Sequence, residues 1–204
     1  MNVFYNESLG VAWMQCMEYI MEHGNDFYDE ERKLKEIVHV SFRIKDAYLD
    51  PVLEEFANID RIKLMEEKYC TCGLVGEYKI DYGSYIFNNN GINQVDWVTN
   101  RLKNKKETKS ATISLHKAGE NDLTCLSILD FKVRDEKLIM CAVYRSQNAY
   151  SSMPGNILAL RKIQSEIATS LGIELGCVEL VVMSSHIYEE NFEQVNSILK
   201  AYKK

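Results

Sequence analysis

Apolar residues recur at helical spacing between residues 8 and 22. Leu9, Ala12, Trp13, Cys16, Met17, Ile20 and Met21 share one stripe, Ser8 can cap the start and Gly24 can end it. Residues 36–44 (EIVHVSFRI) alternate as a strand does. Leu49 to Lys68 reads as helical with a break near Asn58, and Val95 to Lys103 as a further helix. Three β-rich runs follow, Ser110 to His116, Leu123 to Val133 and Lys137 to Tyr144, the last two joined in a hairpin at Arg134-Asp135-Glu136. Gly155 to Ser170 is a long helix stopped by Gly172, Cys177 to Met183 an apolar strand, and Asn191 to Tyr202 a last helix. Helices mixed with antiparallel-looking strands predict an α+β fold.

No Pro/Gly/Ser-rich stretch divides the chain, so residues 1–204 read as a single domain. At that length roughly 70% of the unfolded surface can be buried without disulfides or metal. The net charge of -6 argues against broad binding to nucleic acid, which needs many cations facing phosphates. It leaves room for one phosphate held by one or two arginines. No basic-then-apolar leader opens the chain and no apolar run is long enough to span a membrane. A cytoplasmic protein with free thiols is expected, although six cysteines are present. Cys70 and Cys72 form C-x-C with no second pair at zinc spacing, so no metal site is expected.

The candidate chemistry lies between residues 125 and 188. Tyr144-Arg145-Ser146 ends a strand, and an arginine beside a serine can grip a phosphate through guanidinium and hydroxyl. Pro154-Gly155-Asn156-Ile157 opens the long helix, and the Asn156 amide offers both a donor and an acceptor to a pyrimidine edge. His186 and Tyr188, two apart on a strand, face the same side and can hold a ribose hydroxyl. Taken alone, each has a plainer reading: Cys125 as a buried strand thiol, Arg145 and Arg32 as surface charges, Asn156 as a helix cap.

Together these motifs resemble thymidylate synthase, which carries a catalytic cysteine, a strand ending Arg-Ser, a loop to Pro-x-Asn-Ile and a later His-x-Tyr. Cys125, Arg145-Ser146, Pro154 to Ile157 and His186-Ile187-Tyr188 match in order, at intervals of 20, 11 and 30 residues. Earlier in the chain, Arg32 matches a phosphate-binding arginine, Tyr82-Gly83 the family's Tyr-Gly, and Glu54 or Glu55 the glutamate that moves protons near the base. Lys105, Lys106 and Lys109 lie about where the family's partner subunit supplies paired arginines.

The resemblance implies a mixed β-sheet flanked by helices, with sheets packed across a homodimer, and a pyrimidine nucleoside monophosphate as substrate. It implies that the Cys125 thiolate adds to carbon 6 and that carbon 5 attacks a one-carbon unit on 5,10-methylenetetrahydrofolate, giving methylation or hydroxymethylation. Arg145 is the guanidinium expected to favour the thiolate. Glu55 and Tyr82 would join Cys125 in catalysis; Arg32, Arg145, Ser146, Asn148, Asn156, His186 and Tyr188 would bind the nucleotide. Four departures stand beside this. Leu126 replaces a histidine, Asn148 an aspartate, and Ala149-Tyr150-Ser151-Ser152 a Gly-rich loop. The sequence also runs only 16 residues past Tyr188, short of the family's folate-closing tail. The alternative is a nucleotide-binding or regulatory relative that has lost turnover.

Overall fold

The computed structural model describes residues 2–117, 119 and 121–204. Strand β1 (Asn2–Ser8) leads into α1 (Leu9–His23), where the Ser8 hydroxyl accepts the Val11 N–H and Gly24 donates to the Ile20 carbonyl. A two-residue turn joins β2 (Asn25–Asp29) to β3 (Arg32–Asp46), so Arg32 opens a strand. The expected helical stretch is broken at Asn58 into α2 (Pro51–Phe56) and α3 (Ile59–Cys70), and the Asn58 side chain caps α3 at the Arg61 N–H, 3.0 Å away. Short α4 (Tyr82–Phe87) and α5 (Gln94–Asn104) precede β4 (Ala111–Ser114), β5 (Leu126–Arg134) and β6 (Lys137–Tyr144). Asp135 and Glu136, both at positive φ, make the tight hairpin turn. β7 (Gln147–Asn148), α6 (Met153–Leu171), β8 (Glu174–Tyr188) and α7 (Phe192–Tyr202) complete the chain. Gly172 ends α6 in the left-handed region that glycine adopts without steric cost.

All eight strands form one mixed sheet in the order β1-β3-β8-β6-β5-β4. β1 runs parallel to β3 and β6 parallel to β8; β3–β8, β5–β6 and β4–β5 are antiparallel. Two long strands each carry two short neighbours end to end. β3 pairs with β2 over Arg32 to Glu36 and with β1 from Val40 onward, the break marked by His39 at φ 57°. β8 pairs with β6 as far as Val182 and with β7 at Ser185 and His186. Arg145 and Ser146 fill the second break, so both leave the ladder where the sheet divides.

One sheet face carries the core. Phe42, Ile44, Met140, Ala142, Val178, Leu180 and Val182 are buried, together with Trp13, Met17 and Ile20 of α1 and Ile157, Leu160 and Ile163 of α6. The α3 helix packs on α6 at Gly155, where a Cβ would lie 2.8 Å from the Met65 side chain. The alternate residues of the sheet (Tyr5, Arg43, Cys141, Val143, Glu179, Val181 and Met183) stay half-buried or exposed. None of the described helices is long and apolar enough to cross a membrane.

Candidate functional site

Where the sheet divides, a cavity of about 570 Å³ opens between the ends of β2, β3 and β8, the loop after β6, the start of α6 and the face of α3. It gathers Cys125, Arg145, Ser146, Asn148, Asn156, His186, Tyr188 and Arg32, although they span most of the chain.

Cys125 stands one residue before β5 rather than on it, because the β5–β6 register shifts between Leu126 and Ile128 and ends the regular ladder there. Its carbonyl accepts the Arg145 N–H at 2.8 Å and its own N–H donates to the Tyr82 hydroxyl at 2.8 Å. Burial, followed by the nearby Cys125 thiol, pushes the Tyr82 phenol up. Tyr82 is itself buried, on the first turn of α4.

Arg145 does two jobs. Its Nε donates to the Thr124 carbonyl at 3.1 Å and one terminal nitrogen to the Leu123 carbonyl at 2.9 Å, clamping the segment that ends in Cys125. Most of the guanidinium is therefore committed to backbone. Asn156 lies in the first turn of α6 and is 5% exposed, yet it does not cap the helix; its Oδ1 is buried without a partner. The Gln147 amide, 2% exposed, has neither its oxygen nor its nitrogen paired. Buried polar atoms left unpaired are costly, and several around one cavity mark a place built to receive hydrogen bonds.

Asn148 accepts the Ser151 N–H at 2.9 Å, closing the loop that replaces the expected Gly-rich one, and Trp13 Nε1 fixes that loop from beneath through the Ala149 carbonyl at 2.9 Å. His186 and Tyr188 do face the same side, ring centroids 5.0 Å apart. Burial pulls the His186 imidazole down, so it favours the neutral form, against the raising pull of Glu36 and Asp29. The Tyr188 hydroxyl donates to Asp29 at 2.9 Å; burial and then this carboxylate push it up to about 12. Arg32 stacks on the Tyr188 ring at 3.6 Å and is ion-paired with Glu190 at the cavity rim.

Glu55 is not brought to this cavity. The short α2 helix turns its one buried residue, Leu53, inward and leaves Glu54 and Glu55 exposed. The three lysines also lie outside the cavity, Lys106 pairing with Glu136. In their place α3 supplies two cations unforeseen in the sequence, Arg61 and Lys68, seven residues apart and so on one helix face. Arg61 Nη2 is 3.5 Å from Ser152 Oγ, and its Nε is buried and unpaired. Lys68 is 7% exposed; its Nζ sits over the rings of Tyr82 at 4.0 Å, Tyr78 at 4.1 Å and Tyr69 at 5.2 Å. Burial pulls it down to about 8, with Cys125 acting in the opposite sense. A usable signal was present: Lys68 follows Met65 by three positions and precedes Tyr69, on the helix's buried stripe. Arg32, Arg61, Lys68 and Arg145 outnumber the one lining carboxylate, Asp29, so the cavity favours an anion.

The family model described as thymidylate synthase matches residues 12–204. Among similar curated proteins, one from Methanosarcina mazei is 26% identical over 95% of this chain and 93% of its own length. Another, from Methanothermobacter thermautotrophicus, is 29% identical over 93% of this chain and 94% of its own. Both carry the name "Putative thymidylate synthase".

Proposed function

Because the chain belongs to the thymidylate synthase family, we propose that it transfers a one-carbon unit to carbon 5 of a pyrimidine nucleoside monophosphate. The supporting observation is a single cavity that holds a half-buried thiol, an excess of cations and unpaired buried amides. In this reading Cys125 forms the S–C6 bond, and the C5=C6 electron pair moves to carbon 5, which becomes the nucleophile. Tyr82, whose hydroxyl accepts the Cys125 N–H, is placed to hold a proton beside the reacting carbons. Asn156 accepts the ring N–H of uracil through its free Oδ1 and donates to the adjacent carbonyl. Ser146, Arg32, Arg61 and the uncommitted nitrogen of Arg145 receive the phosphate, while neutral His186 and Tyr188 hold the sugar. Asn148 shapes the loop rather than the base site, since its oxygen is already bonded.

The family's donor, 5,10-methylenetetrahydrofolate, supplies a carbon at the methylene level when bound. Its flat ring suits the aromatic wall formed by Tyr78. The open sheet face fits a homodimer joined sheet to sheet, as Val181, Met183 and Val143 lie there beside the exposed Arg43–Glu179 pair. A self-complementary patch of this kind suits two-fold packing.

The test uses the full chain with 5-tritiated and 5-fluorinated uridylates. Turnover releases tritium, and fluorine, unable to leave as a proton, traps the nucleotide on Cys125 as an added mass that Cys125→Ser abolishes. Tight binding with neither result would identify a nucleotide-binding protein without chemistry.

A further inference from the structure

The guanidinium expected to favour the thiolate, Arg145, is largely spent on the carbonyls of Leu123 and Thr124. The cation left over is Lys68. Its Nζ rests on a cage of three tyrosine rings, and among the described residues it has no carboxylate within ion-pair distance. A buried ammonium with only ring faces around it keeps its full field, because no anion neutralises it. Tyr82 ties this cage to Cys125. Its ring lies 4.0 Å beneath Nζ, while its hydroxyl accepts the Cys125 N–H at 2.8 Å. Lys68 and Cys125 line the same cavity.

We propose that Lys68 is the counter-ion of the Cys125 thiolate: the tyrosine cage holds its ammonium unpaired so that the sulfur, on losing its proton, becomes its partner. In the step itself the Cys125 S–H bond breaks, the proton leaves to solvent, and the sulfur keeps the electron pair. The pair passes from a net charge of +1 to 0, and the ammonium retains its three protons. The freed lone pair is the one that forms the S–C6 bond in the proposed reaction. The inference rests on that reading only for its purpose; the ion pair stands or falls without a nucleotide.

The titratable groups facing the pair are Tyr69 and Arg61 from α3, Tyr78 from the loop after it, Tyr82 from α4, Tyr144 from β6 and Arg145. From α6, packed on α3, Lys162 is ion-paired with Glu66. The tyrosines among them are pushed up and stay neutral below strongly alkaline pH. Among the groups facing the cage, Lys68 is the one that burial pulls down toward neutral pH, to about 8.

The experiment follows iodoacetamide alkylation of each cysteine in the full chain by peptide mass mapping, across neutral pH. Lys68→Met is expected to slow Cys125 at pH 7 by about tenfold or more, the usual effect of removing an opposite charge at close range. Its rate profile moves to higher pH, Lys68→Arg restores most of the rate, and Cys141 on the opposite face is unchanged. Equal Cys125 rates in wild type and Lys68→Met overturn the proposal. Should Lys68→Met fail to fold by near-ultraviolet circular dichroism, the thiolate absorbance difference between wild type and Cys125→Ser decides. A wild-type profile centred near the ordinary thiol value of about 8.5 rejects the ion pair. The fluorinated nucleotide separates the two ideas. An adduct forming equally fast in wild type and Lys68→Met removes this role and leaves the enzyme reading. A Lys68-dependent thiol with no adduct does the reverse.

Discussion

At the residue scale, Arg145 lines the cavity while its guanidinium clamps the carbonyls of Leu123 and Thr124, so a ligand role and a scaffold role can be told apart by measurement. Arg145→Ala is expected to weaken binding of a pyrimidine monophosphate at least about tenfold, as charged hydrogen bonds of about 1.5–3 kcal/mol are lost. The nucleoside, lacking phosphate, reports the other role: calorimetry should show a smaller loss, from the carbonyls of Leu123 and Thr124 left without their donor. Equal losses would assign Arg145 to the scaffold alone. Lys68 carries a cost of its own. Its folded value of about 8 lies below the unfolded value of 10.5, so the unfolded state binds more protons between them. Wild-type stability therefore rises with pH through that window, and the penalty is full below it. Lys68→Met should be more stable at pH 7 by about 1–3 kcal/mol, with the advantage shrinking above pH 8 in urea titrations. An unchanged midpoint would show that the tyrosine cage already offsets burial. Cys125, Arg145, Asn156 and His186 were legible as a set because their order and spacing survive in the sequence. Lys68 was not, since its meaning comes from three rings that only the fold brings around it. Glu55 is the opposite case, a suggestive residue type on a helix face that turns outward, away from the cavity.

At the element scale, the site depends on how closely α3 approaches α6. Gly155→Ala would put a methyl 2.8 Å from Met65 and 3.1 Å from the Ile62 backbone. The expected cost is about 1–3 kcal/mol, read by thermal unfolding, together with weaker nucleotide binding as Arg61 and Lys68 move with α3. Undisturbed binding would mean that α3 adjusts without shifting its cations. Helices α1, α3 and α6 could be bounded from sequence because caps are local: Ser8, Asn58 and Gly172 act on neighbouring backbone. Strands β1, β2 and β7 escaped notice for a different reason. β1 and β2 are short, polar and largely exposed, and β7 has only two residues. Their pairing is decided by β3 and β8, not by their own pattern.

At the scale of the whole molecule, the open sheet face predicts the assembly. Val181→Glu places a charge at its centre and should convert a dimer to a monomer in sedimentation while leaving the thermal midpoint of the subunit nearly unchanged. A wild-type monomer at micromolar concentration would reject sheet-to-sheet packing. Whether a face is open cannot be seen in an alternating strand pattern when both sets of residues contain valines, as Val178 and Val182 do on one face and Val143 and Val181 on the other.

The β3–β8 ladder, which sets Leu34 opposite Tyr188 and Ile44 opposite Val178, has a consequence in time. The centre of the sheet joins the first quarter of the chain to its last seventh, so no early segment can zip it up. Such remote pairing slows folding, because loop closure precedes any reward. On a ribosome, α1 and the β2–β3 hairpin emerge first and wait, with one edge of β3 unpaired, until β8 follows. The cation-lined cavity is thus among the last features to appear, and Cys125 spends that interval apart from the charges that later surround it.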